Sequence, residues 1–275
     1  MTRALLTLTI LLSSLWTCVA LAAARTAADD ERSIDDPRVE HRSYEFPATG
    51  ERIPYALFVP SGYDAARPAP LLVSLHGLGR TYDWLMGYHG LLDAAEAGGY
   101  VVVTPLGYTR RGWYGSWQTD TDGRELGDEA KRSEQDVMNV LVRVREEFSI
   151  DPARMYLWGH SMGGSGTYHL AAKYPDLWAA IGVVAPAAPQ GVEAADLLAR
   201  IRHIPSIVMH GTEDELVPVA LTRSWVDAMA ALGMQHVYVE IPGGDHSLLI
   251  SQNRDNMAKI VGFFDVVSLN DRRRN

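Results

Sequence analysis

Short apolar runs recur along the chain, each closed by glycine, proline or a polar turn. The pattern predicts strands near 71–76, 100–104, 154–159, 179–184, 205–210 and 236–241. These runs are too short for helices and nearly continuous in apolar residues, as strands buried on both faces are. Between them the period changes. Val137, Val140, Leu141, Val144 and Phe148 repeat at helical spacing, Ser133 with Asp136 forms a capping-box pattern, and Asp151-Pro152 closes the segment. Two earlier runs, 40–45 and 53–59, are joined by the turn at Thr49-Gly50, which suits an antiparallel edge. Strands alternating with helices predict an α/β fold, a mostly parallel sheet of about eight strands with helices on both faces. About twenty residues separate Val184 from Ser206, room for one short helix around 192–201 and for no large cap domain.

The first residues do not fit this alternation. Met1-Thr-Arg3 gives a short positive start, residues 4–15 are apolar, and small residues follow at Ala20, Ala22 and Ala24. Residues 1–24 therefore read as a signal peptide, with export to the periplasm or the medium as the expected outcome. A retained anchor is the alternative, and Cys18 invites a lipoprotein reading that Trp16 and Thr17 fit poorly. After cleavage no membrane span is expected. Residues 25–37 read as a flexible lead-in, 38–270 as the catalytic domain and 271–275 as a basic tail.

Composition narrows the function. Cys18 is the one cysteine of 275 residues, so the mature chain would carry no disulfide and would depend on its core. The net charge is −9, and loss of residues 1–24 removes one arginine and no acid, leaving −10. That balance argues against nucleic acid as a partner. No H-E-x-x-H, cysteine cluster or phosphate-binding glycine loop is found in the sequence, so neither metal nor cofactor is expected.

The chemistry concentrates at strand ends. Gly159-His160-Ser161-Met162-Gly163 lies between the strand 154–159 and a predicted helix 164–173. A serine there takes a strained backbone that lifts its hydroxyl above the sheet, and the flanking glycines let strand and helix pass closely. Such a serine requires an acid and then a histidine downstream. Asp214, in the turn after 205–210, is the expected acid, with Glu213 and Glu215 as rivals. His246, in Pro242-Gly-Gly-Asp-His-Ser247, is the expected base. His76-Gly77-Leu78-Gly79 follows another strand. There the Leu78 N–H, with that of Met162, is placed to hold an oxyanion. Trp113 and Trp117, in the loop 105–127, and Trp84 after the oxyanion segment are candidates for stacking on substrate. An equal alternative makes these rings the glue that holds long loops to the sheet.

The segments LLVSLHGLG, YVVVTPLGY, SIDPARMYLWGHSMGGSGTYHLAAKYPDLWAAI, HGTEDELVP and GGDHS resemble the α/β-hydrolase superfamily. More narrowly, they are similar to secreted single-domain esterases of the feruloyl esterase and polyhydroxybutyrate depolymerase type. The resemblance spans roughly residues 40–268. It implies Ser161, Asp214 and His246 as nucleophile, acid and base, and Leu78 and Met162 as oxyanion donors. It implies an ester substrate, and the missing cap, which leaves the site open, suits a bulky or polymeric one. A serine peptidase of the prolyl-oligopeptidase-like type and an acyltransferase would use the same triad, and the oligomeric state is left open.

Overall fold

A computed structural model describes residues 34–268. The predicted signal peptide, Cys18, most of the lead-in and the basic tail lie outside the described residues.

Eight strands form one sheet: β1 (Val39–Glu45), β2 (Arg52–Phe58), β3 (Ala69–Leu75), β4 (Val101–Pro105), β5 (Ile150–His160), β6 (Ala180–Val184), β7 (Ser206–Gly211) and β8 (His236–Ile241). Their order is β1-β2-β4-β3-β5-β6-β7-β8. β1 pairs with β2, and β2 with β4, antiparallel; every later pairing is parallel. The central strands β3, β4, β6 and β7 are buried along their whole length, which is why the sequence shows runs rather than alternation there.

Among the described residues seven α-helices cover the sheet: α1 (Leu91–Gly98), α2 (Asp128–Glu147), α3 (Met162–Lys173), α4 (Ala194–Arg200), α5 (Val219–Ala231), α6 (Leu248–Ser251) and α7 (Arg254–Asp265). Successive strand residues feed opposite faces. Leu71, Val73, Leu157 and Val183 pack with α2 to α5, whereas Leu72, Tyr156, Trp158 and Met209 pack with α1, α6 and α7. The connection from β6 to β7 holds α4 as its single helix, so among the described residues no large cap is inserted there.

Two expectations of detail are corrected. Ser133 and Asp136 do not cap a helix, because α2 begins earlier, at Asp128, with Gly127 before it at φ 53°. Both side chains are instead buried on loop partners: Ser133 Oγ accepts from the Tyr114 N–H at 2.9 Å, and Asp136 accepts from the N–H groups of Gly107 and Tyr108. Asp151-Pro152 does not close α2 either. The helix ends at Glu147, and both residues already belong to β5, where proline is tolerated near a strand's start.

The chain path reverses direction at β3. From β3 it moves outward to β4, then returns to β5 on the other side of β3. In parallel sheets the carboxyl ends of strands flanking such a reversal open a crevice. Gly77 follows β3 and Ser161 follows β5, so both stand at that crevice.

Candidate active site

Ser161 joins β5 directly to α3 with φ 59° and ψ −117°, a conformation unfavourable for any residue with a Cβ. Its neighbours enforce it. A Cβ on Gly159 would lie 2.2 Å from the Gly163 carbonyl oxygen, and one on Gly163 would lie 2.0 Å from that of Leu75. The Ser161 N–H donates to Val184 O at 2.9 Å, and its carbonyl accepts from the Ser165 and Ala187 N–H groups. The side chain stays half-buried, at the margin of the crevice.

Met162 opens α3, where the first N–H groups of a helix have no intrahelical acceptor. Across the crevice Gly77 approaches so closely that a Cβ there would touch Ser161 Cβ at 3.5 Å. Leu78 follows in a tight turn, closed by the Arg80 N–H donating to Gly77 O at 3.2 Å. Arg110 braces this turn from the loop 105–127. The Gly79 N–H donates to Arg110 O at 2.9 Å, and Arg110 Nε donates to Gly79 O at 2.6 Å.

The loops after β7 and β8 bring Asp214 and His246 together: His246 Nδ1 lies 2.7 Å from Asp214 Oδ2. With that hydrogen on Nδ1, Nε2 is the basic atom of the ring. Asp214 Oδ1 accepts from the N–H groups of Leu216 and Val217 at 2.9 and 2.8 Å. Burial works to raise the Asp214 pKa, but the Val217 N–H and His246 outweigh it and hold the carboxyl below its ordinary range. Glu213 and Glu215 on either side are exposed.

Two further histidines belong to this assembly, and neither stood out in the sequence. His160 directs Nε2 to the His246 carbonyl at 2.7 Å, while its Nδ1 lies 2.7 Å from the buried Tyr88 hydroxyl. Its ring sits 5.0 Å from that of His246. The bond to its carbonyl thus moors His246 to the residue preceding Ser161. His210 Nε2 lies 2.9 Å from Asp214 Oδ2. Burial pushes the His160 pKa down to about 3 and that of His210 down as well, so both rings stay neutral. A histidine inside an apolar strand needs polar partners, and that was the available signal.

The aromatic candidates divide. Trp113 is 3% exposed, stacks on Trp117 at 3.9 Å and donates from Nε1 to Asp120 Oδ1 at 2.9 Å. Trp117 is half-buried and ties the loop to the segment after β6, with Nε1 donating to Ala188 O at 2.8 Å. Trp84 is half-buried beneath the Arg80 guanidinium, 4.5 Å away. Among the described residues no group of three or more histidine, cysteine or acidic side chains is arranged to hold a metal ion.

Comparison with known proteins places the chain in a family. Residues 47–248 match the Esterase family, described as "Putative esterase". The chain is 30% identical over 161 residues to the bifunctional acetylxylan esterase/xylanase XynS20E of Neocallimastix patriciarum, covering 58% of this chain and 21% of that protein. It is 26% identical over 201 residues to the probable feruloyl esterase C of Aspergillus flavus, covering 70% and 67%. It thus spans about a fifth of the first relative's length and about two thirds of the second's. A ferulic acid esterase from Anaeromyces mucronatus, solved with ferulic acid, superposes with a TM-score of 0.64 at 19% identity, covering 86% of this chain and 93% of that one. Eight strands in this order, a serine held at the β5–α3 turn and the family match lead to one conclusion: the chain belongs to the Esterase family and has the α/β-hydrolase fold.

Proposed function

We propose that the protein is an exported serine esterase that forms an acyl-enzyme on Ser161. The observation that carries this reading is the buried Asp214–His246 hydrogen bond, moored through His160 to the turn bearing Ser161. In this reading His246 Nε2 takes the Ser161 proton as Oγ attacks the ester carbonyl. The Leu78 and Met162 N–H groups hold the negative oxygen. His246 then gives the proton to the leaving alcohol, and water repeats the cycle to release the acid. Asp214 holds the imidazole in the required tautomer and stabilises its cation.

The substrate is bulky or polymeric. A cleft with a single short helix, α4, between β6 and β7 suits a large ester, and the half-buried rings of Trp117 and Trp84 supply apolar faces for its acyl or sugar part. Trp113 then serves by backing Trp117. Export rests on the leader-like residues 1–24, and N-terminal sequencing of the mature protein, expected to begin between 23 and 26, checks it; a start at a lipid-bearing Cys18 would replace export with anchoring.

The central test is labelling by a fluorophosphonate probe. Wild type is labelled and Ser161→Ala is not; persistent labelling of the variant would put the nucleophile elsewhere. Turnover of methyl ferulate, acetylated xylan, polyhydroxybutyrate and a dipeptide amide then separates esterase from peptidase.

A further inference from the structure

His210 has no place in the proton transfers just described, yet its ring is fully buried against the acid. Asp214 accepts four hydrogen bonds: Oδ1 from the N–H groups of Leu216 and Val217, Oδ2 from His246 Nδ1 at 2.7 Å and His210 Nε2 at 2.9 Å. An ionised carboxylate offers about four acceptor positions, so the set is full and the group cannot turn. His210 closes that set.

The partners of His210 also decide its protonation. Nε2 faces two acceptors, Asp214 Oδ2 and the Val217 carbonyl, each at 2.9 Å, so it bears the hydrogen. Nδ1 lies 2.7 Å from Thr222 Oγ1 on α5, a hydroxyl that can donate to it. Neutrality matters chemically. A cationic His210 would neutralise the carboxylate and deprive His246 of its counter-charge. A neutral one contributes a directional donor and leaves the negative charge for His246.

We propose that His210 is a positioning residue: a second, neutral imidazole that locks the Asp214 carboxylate against His246 and tempers its basicity. The proposal rests on the serine-esterase reading. The other groups facing this cluster are His160 from β5 and Glu240, the register partner of His210 on β8. Glu240 is itself occupied by Arg223 and Tyr238.

The test compares His210→Phe, His210→Gln and His210→Asn with wild type and Asp214→Asn on p-nitrophenyl acetate across pH, with thermal melting alongside. Phenylalanine keeps the ring and loses both polar contacts. Loss of one donor to a buried carboxylate should lower kcat/KM by about 10- to 100-fold. The acidic limb of the kcat/KM profile should move to higher pH, because a carboxylate with fewer donors holds the imidazolium more tightly. Glutamine, whose amide reaches the Nε2 position, should recover much of the rate and the wild-type limb. Asparagine, whose shorter amide reaches only toward Thr222, should behave like phenylalanine. If phenylalanine does not fold, the glutamine–asparagine contrast decides. A folded His210→Phe or His210→Asn with wild-type kcat/KM and an unmoved limb, beside an inactive Asp214→Asn, would overturn this proposal alone. An active Asp214→Asn would instead overturn the triad on which it rests.

Discussion

Asp214 stands between two acidic neighbours, Glu213 and Glu215, and burial separates the three. Asp214 is 9% exposed and fully engaged, while the glutamates face solvent. Asp214→Asn should therefore reduce kcat by about 10⁴-fold, the scale on which a lost tautomer partner acts. Glu213→Gln and Glu215→Gln should leave turnover nearly unchanged, and steady-state kinetics on one ester checks all three. A larger loss from Glu213→Gln would reassign the acid. The order serine, acid, histidine was readable in the sequence because each sits in a glycine-marked turn after an apolar strand. His160 and His210 were not, since each reads only as the residue that ends or follows an apolar strand. Tyr88 and the His246 carbonyl, which give His160 its meaning, lie 72 and 86 positions away. Spacing carries no trace of such partners.

At the scale of elements, α2 explains how a long loop becomes a wall. Its apolar stripe, Val137, Val140, Leu141 and Val144, was legible from its period and packs into the core. Its first two turns lack that period. The polar residues of its first three turns serve the loop 105–127 and α3 instead: Ser133 holds Tyr114 and Asp136 holds Gly107 and Tyr108, while Glu134 binds His169, Lys173 and Tyr174 on α3 or just beyond it. A serine and an aspartate three apart resembled a cap because short-range pattern cannot show what a loop thirty residues upstream will need. The two indoles should part company under mutation. Trp113→Ala removes a buried ring and its bond to Asp120, and should cost about 3–5 kcal/mol of stability, seen as a lower Tm and reduced activity on every ester. Trp117→Ala should spare most of the stability and weaken hydrolysis of bulky esters by about 1–3 kcal/mol in transition-state terms, with little effect on p-nitrophenyl acetate. Equal losses on both esters would make Trp117 structural as well.

For the whole molecule, neutral buried histidines set a response to acid. His160 titrates near 3 when folded against an ordinary 6.5, so the unfolded chain takes up its proton first. Its contribution to stability is complete above about pH 6.5 and is lost as pH falls toward 3, and His210 acts in the same direction. Asp136 opposes them, since burial lifts its pKa from 3.8 to about 6 and the folded state there binds the extra proton. The two histidines, joined at lower pH by Glu134, whose pKa is held down to about 2, lower stability as pH drops below 6. Urea unfolding of wild type and His160→Gln between pH 7 and 4 should show the variant's dependence flatter by about 1.4 kcal/mol per pH unit at most. Parallel curves would mean that His160 takes up its proton as readily in the folded protein as in the unfolded chain. The eight-strand α/β layout itself was legible because central strands 69–75, 101–105, 180–184 and 206–211 are buried on both faces and must be apolar throughout. The strand order, with the reversal at β3, was not legible, because it depends on which edge each crossover takes.

Selection has an uneven hold on the turn at Ser161. Neither Gly159 nor Gly163 can gain a side chain without displacing backbone, so drift at either position tends to remove the fold along with any activity. Ser161 is the reverse case. Its φ of 59° is one that glycine adopts freely, so thermodynamics alone favours glycine there. A serine persists at such a place for as long as its hydroxyl is in use. A descendant released from that use would gain stability by giving it up, and would pass on an intact frame with a single atom's chemistry missing.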